Sequence, residues 1–267
     1  MRTLPEKWIS RLLIAILLPL TAQAEVSTED MNKSNNPLTP MFGLNFHDYI
    51  TSSIFGTDEE ANTFYLRGAL PHKLGGAPQL ARLSIPYQSV PGPDGDKVTG
   101  MGDMNLFDIF LLPGHGGEFE LGVGPYFVFP TASKDETGAG KWQIGLSATA
   151  IKPSPSGMVG ALLTYQHDIG GDADRPTQNI ATLQPFFIHN LPNAFYFRSA
   201  GIWFFNWETG DYNMPVGAGL GKIWKTEGGT AINLFAEPQW TIAHEGDGAP
   251  NYQTFVGLNM QFPMNGP

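Results

Sequence analysis

The sequence predicts an all-β chain folded as a transmembrane antiparallel up-and-down β-barrel of about twelve strands. Three observations lead there. Stretch after stretch alternates apolar and polar residues with a period of two. The breaks between stretches alternate between longer acidic ones and shorter ones almost free of acids. The chain also opens on an export signal and then has no apolar run near the roughly 20 residues a membrane helix needs.

Residues 1–24 read as a secretory signal peptide. Arg2, Lys7 and Arg11 form a charged start, Leu12 to Leu20 is an apolar run, and Ala22-Gln23-Ala24 is an A-x-A cleavage site. The chain carries 15 Lys+Arg against 25 Asp+Glu. The signal holds three of the bases and one acid, Glu6, so the mature chain has a net charge of -12. That balance argues against nucleic-acid partners, which need a basic footprint. With no cysteine there are no disulfides, and stability must come from packing and hydrogen bonds. Residues 25–40 ("EVSTEDMNKSNNPLTP") are polar and aperiodic and read as a flexible lead-in. Residues 41–262 are the barrel, and 263–267 are a tail.

Gly 32, Pro 22 and 12% aromatics suit many strands joined by turns. Strands are predicted near 42–51, 61–70, 79–89, 102–112, 118–130, 140–152, 157–167, 178–189, 194–207, 211–224, 229–243 and 250–262. The clearest alternations are these. "KWQIGLSATA" sets Trp142, Ile144, Leu146, Ala148 and Ala150 against Gln143, Gly145, Ser147 and Thr149. "INLFAEPQWTI" sets Ile232, Leu234, Ala236, Pro238, Trp240 and Ile242 against Asn233, Phe235, Glu237, Gln239 and Thr241. "VGLNMQF", near the end, sets Val256, Leu258, Met260 and Phe262 against Gly257, Asn259 and Gln261. A period of two means one apolar and one polar face.

The odd-numbered connections hold the acids, among them Asp58, Glu59, Glu60, Asp94, Asp96, Asp135, Glu136, Asp172, Asp174, Glu245 and Asp247. The even-numbered ones, such as "PHKLGGAP", "PSPS" and "NLPN", hold a single acid, Glu227. Outer-membrane barrels have this asymmetry of long outer loops and short periplasmic turns. Spanning strands must satisfy every backbone group by pairing, so the sheet must close. Tryptophans near predicted strand ends (Trp142, Trp207, Trp224, Trp240) suit interfacial girdles. Alternation by itself also fits a soluble barrel or sandwich with its apolar face inward. The signal, the strand lengths, the loop asymmetry and the small or polar opposite face favour the membrane.

The polar faces supply candidate pore-lining residues: Arg67, Arg82, Glu118, Glu120, Gln143, Gln166, Arg198, Asn233, Glu237 and Gln239. A charge facing lipid at mid-membrane costs about 2–4 kcal/mol, so a mid-strand Arg or Glu is expected to face the lumen. Opposed Arg and Glu rows would set a transverse field that screens solutes. They could equally pair and plug a narrow barrel.

The stretches "TGMGDMNLFDIFL", "FPTASKDETGAGKWQIG", "YQHDIGGDADRP", "QPFFIHNLP" and "FAEPQWTIAHEG" resemble a bacterial outer-membrane family described as phenol-degradation MetA-pathway proteins or transporters, sometimes mislabelled neuromedin U. The resemblance runs from about Asn36 to Phe262. It implies an outer-membrane barrel and a role in passage of small, aromatic compounds. One departure stands out. Such barrels commonly end on a Phe read by the assembly machinery, and here five residues follow Phe262.

No catalytic set emerges. His167, Asp172 and Asn179 look superficially like an outer-wall lipid hydrolase, but residue 169 is isoleucine and no serine occurs from 158 to 198. The six histidines show no paired ligand spacing, and "GGDADRP" is a weak Ca²⁺ candidate. No cofactor and no metal site are expected, and no plug domain. The expected partners are outer-membrane lipid and lipopolysaccharide, the barrel-assembly machinery and small-molecule solutes. The sequence thus suggests a passive outer-membrane channel, with a closed-lumen binding or structural barrel as the alternative.

Overall fold

The computed structural model describes residues 23–112 and 118–264. The expected signal peptide, apart from its last two residues, and the final three residues of the tail lie outside them.

Twelve strands form the wall. They are β1 (Phe42–Ile54), β2 (Ala61–Leu74), β3 (Ala77–Pro91), β4 (Lys97–Met101, resuming as Met104–Leu112), β5 (Glu120–Phe129) and β6 (Lys141–Ser154). Then come β7 (Gly157–Gly171), β8 (Asn179–Asn190), β9 (Phe195–Ser199, resuming as Trp203–Asn206), β10 (Tyr212–Gly217, resuming as Gly219–Thr226), β11 (Ala231–Glu245) and β12 (Pro250–Phe262). Each pairs antiparallel with the next, and β12 pairs with β1 from Pro250↔Ile54 to Phe262↔Phe42. The ring is closed, as expected, and no edge is left open.

Several strands outrun their predicted ends. The 61–70 segment becomes Ala61–Leu74, and 157–167 becomes Gly157–Gly171. About 9–11 residues suffice to cross a bilayer, so walls of up to 15 residues reach past it. Beyond the hydrocarbon the outer face need not be apolar, so the alternation fades while the ladder of hydrogen bonds continues. The bulges at Trp142/Gln143, Met214/Pro215 and around Tyr252 all lie toward the acid-bearing rim. At the opposite rim the β2–β3 hairpin turns on Gly75 (φ 56) and Gly76 (φ 85). A two-residue turn that needs positive φ at both positions favours this pair.

The faces are inverted relative to a soluble barrel. Leu146, Leu163, Leu220 and Ile242 are exposed on the outside. Ser147, Asn233, Glu237 and Gln239 are buried on the inside. Val256, Leu258, Met260 and Phe262 share the outward face, and Phe262 packs on Phe42 across the closing seam at 5.7 Å.

The N-terminal segment corrects the sequence reading. Residues 25–40 are not a featureless lead-in. They contain a helix, α1 (Thr28–Asn35), seated in the mouth of the barrel at the rim of the chain termini. Ser27 caps it: its Oγ accepts from Asp30 N, and the Asp30 carboxylate accepts from Ser27 N. Glu29 and Lys33 pair one turn apart and hold the lysine above its usual range. Met31 and Leu38 sink into an apolar layer that the barrel turns inward here, with Ile109, Ile151, Met158 and Ile223. Burying each such side chain stabilises by about 1.5–3 kcal/mol. The polar residues that suggested disorder dock the helix. Asn32 donates to Ser154 O, Asn36 to Glu120, and Gln261 to Lys33 O. Lys225 pairs with Asp30 at 2.6 Å.

Candidate functional site: the barrel lumen

Cross-strand register decides what faces inward, because directly paired residues share a face. From Asn105 the inner face runs through Ser84, Arg67 and Asn45 to Asn259 and Asn233. From Phe107 it runs through Arg82 and Ala69 to Gly43. Of the ten sequence candidates, nine lie on this face.

Arg67, Arg82 and Arg198 stand near mid-barrel and line one cavity of about 160 Å³, floored by the chain from Ser34 to Met41. Arg198 is tied down. Its Nε donates to Glu237 Oε2 at 2.6 Å, and both groups are buried. Glu237 Oε1 accepts from Ala200 N at 2.8 Å and Gln239 Nε2 at 2.9 Å. Both carboxylate oxygens are therefore occupied. The guanidinium also lies over the rings of Phe235 (3.6 Å) and Phe255 (5.1 Å). This is an Arg–Glu pairing of the kind that the sequence allowed across the lumen.

Arg67 and Arg82 differ. Arg67 donates to His47 Nδ1 at 2.6 Å, and His47 Nε2 contacts Asn259 Oδ1 at 2.7 Å. An acceptor at Nδ1 fixes the tautomer, with its N–H at Nε2 donating to the amide oxygen. Arg82 lies over the Phe107 ring at 4.2 Å. Among the described residues no carboxylate pairs with either arginine.

The others occupy different levels. Asn233 accepts from the Tyr196 hydroxyl at 2.5 Å and donates to Asn35 at 3.0 Å, under α1. Gln143 and Gln166 are buried higher, toward the acid-bearing rim. Glu120 sits at the terminal rim and holds Asn36 at 2.7 Å. Glu118 corrects the expectation of a shared inner face. It precedes β5, is exposed, and reaches Lys152 at 3.6 Å, a residue on the outward face. The alternation of β5 starts only at Glu120, so parity could not place its neighbour.

Sequence reasoning overlooked His47 and the inward rings of Phe186, Phe235 and Phe255 as site residues. Parity was available for His47, which alternates with Asn45 and Tyr49. It also put too little polarity outside. Asp48 faces outward with Asn62 donating to it at 2.6 Å, and His72 contacts Asp108 outside at 2.9 Å. Each carboxylate has a partner, which lowers the penalty of its position.

The hydrolase-like residues do not assemble. His167 and Asn179 are paired on the outer wall, but Ile144 lies across from His167 and no serine occurs from 158 to 198. The acidic loops are folded rather than merely solvated. Asp103 accepts from Ala132 N and Ala139 N, Asp168 accepts from Gln178 N, and Arg175 donates to Asp135 O and Gly138 O.

No protein-family model and no curated protein matches the chain. Solved structures do match. An outer membrane channel from Pseudomonas putida F1 is 13% identical, with a TM-score of 0.61, over 91% of this chain and 99% of that one. The NanC porin is 7% identical, with a TM-score of 0.50, over 84% of this chain and 100% of that one. Outer membrane phospholipase A from Escherichia coli, at a TM-score of 0.44, is too distant to support an argument. At these identities the likeness speaks for the fold alone. The chain is a closed twelve-stranded barrel of the architecture that outer-membrane channels and porins use.

Proposed function

We propose that the protein is an outer-membrane channel, reached through a cleaved export signal, for passive passage of small solutes with aromatic or hydrophobic bodies. The observation that carries this reading is the inverted barrel: apolar side chains outside, and inside a polar wall with a cavity at mid-height. Lipid is the solvent that an outer face such as Leu146, Leu163 and Leu220 fits. The phenol-degradation family resemblance supports an aromatic cargo. On this reading the acidic loops face outward toward lipopolysaccharide, and the assembly machinery reads Phe262 as an internal signal.

A second reading is a barrel whose lumen stays closed. The docked helix α1 and the buried Arg198–Glu237 pair favour it. Single-channel recording in planar bilayers separates the two. Discrete conductance steps support the channel. A silent bilayer, with protein that still shifts its gel mobility on boiling, supports the closed barrel. An unshifted gel band would remove the membrane barrel from both readings.

A further inference from the structure

We infer that the cavity between α1 and the arginine cluster binds a small organic monoanion: one carboxylate on an apolar body of about one ring. The inference rests on the channel reading, which provides the solute's way in.

The charge argument comes first. Three arginines line the cavity, and among the described residues the one acid paired with them, Glu237, is spent on Arg198 with both its oxygens occupied. His47 accepts from Arg67 and so adds a dipole rather than a countercharge. Arg67 and Arg82 thus bring two cations to a mid-barrel cavity whose described lining holds no carboxylate. The Nε of each is buried and makes no hydrogen bond to any described residue. A buried charge is tolerated when it is paired. A guanidinium holds a carboxylate through two parallel N–H···O bonds, which favours this anion over a spherical one.

The remaining wall selects the body of the ligand. Phe186, Phe235, Phe255, Leu162, Leu80 and Ile188 face the same space. Their apolar surface gives a hydrated inorganic ion nothing to gain. The volume of about 160 Å³ sets the size. An apolar cavity of about 150 Å³ takes one benzene ring, so the space matches a single-ring carboxylate.

Sodium benzoate and benzyl alcohol are matched probes, since they share the ring and differ in charge. Titration calorimetry of the full-length protein in detergent micelles should show saturable benzoate binding. Benzyl alcohol should bind at least about tenfold more weakly. The R67Q/R82Q variant should lose benzoate affinity about tenfold or more and leave benzyl alcohol unchanged. Equal binding of the two probes overturns the inference, and so does full benzoate affinity in the variant. If the double variant fails to show heat-modifiable gel mobility, R82Q alone and the wild-type probe pair decide. Bilayer recording is kept separate. Conductance without benzoate binding refutes the anion site and leaves the channel. Benzoate binding without conductance refutes the channel and leaves the site.

Discussion

Replacing Asp30 by alanine should loosen α1 from the barrel mouth without unfolding the barrel. Asp30 has two tasks on two oxygens. Oδ1 meets Lys225 Nζ at 2.6 Å, and Oδ2 accepts from Ser27 N at 3.1 Å and Ser27 Oγ at 2.8 Å. The ion pair is partly buried, at 30% and 22% side-chain exposure, so it belongs near the top of the range for exposed pairs, about 1 kcal/mol. The returning bond of the capping box and the favourable charge in the first helical turn add about another 1 kcal/mol. A loss of about 2 kcal/mol raises the open fraction of the segment roughly 30-fold. Burial of Met31 and Leu38 remains and keeps the docked form dominant. Hydrogen exchange reads this directly. The amides of Met31 and Asn36, bonded to Ser27 O and Asn32 O, should exchange roughly 30-fold faster in D30A, while those of β11 and β12 stay unchanged. Acid gives an independent check. Burial pushes the Asp30 carboxyl up, but hydrogen bonds from Lys225 and Ser27 outweigh it and hold it below the usual 3.8. A carboxylate with a depressed folded value stabilises above its unfolded value, and that contribution fades as pH falls through the folded one. Wild-type exchange in α1 should therefore accelerate only below about pH 4, and D30A should lack that step. Unchanged α1 exchange in D30A, or an equal rise in the strands, would refute the reasoning.

Other substitutions test the wall and the lumen. E237A leaves Arg198 buried without its carboxylate and should destabilise by about 3–5 kcal/mol, read as a lower urea midpoint for the heat-modifiable gel band. L146R puts a charge on an exposed outer position and should cost about 2–4 kcal/mol on folding into bilayers, with a much smaller effect in detergent. G221V brings a side chain against the Tyr196 ring, which a Cβ at Gly221 already meets at 2.2 Å. It should cost about 1–3 kcal/mol by thermal melting, more than the same change at Gly68, which has open space.

The sequence by itself determined the wall. A strand's period of two is a property of the backbone, and lipid outside with water or side chains inside imprints it on every segment. That is why Ile232 to Ile242 and Val256 to Phe262 could be assigned a face, and why their opposites Asn233, Glu237 and Asn259 could be placed within. Even the overlooked α1 had a local mark, Ser27 followed three residues later by Asp30. Its eight residues are too few, and its docking surface too rich in asparagine, for a hydrophobic stripe to show. Only the tertiary structure decided who meets whom across the lumen. Arg198 finds Glu237, Arg67 finds His47, and Lys225 reaches back to Asp30, while Arg82 finds the ring of Phe107. Those pairings depend on register and on the closure of twelve strands. One strand's pattern says which side a residue faces, but the height at which it meets its partner is a property of the whole ring.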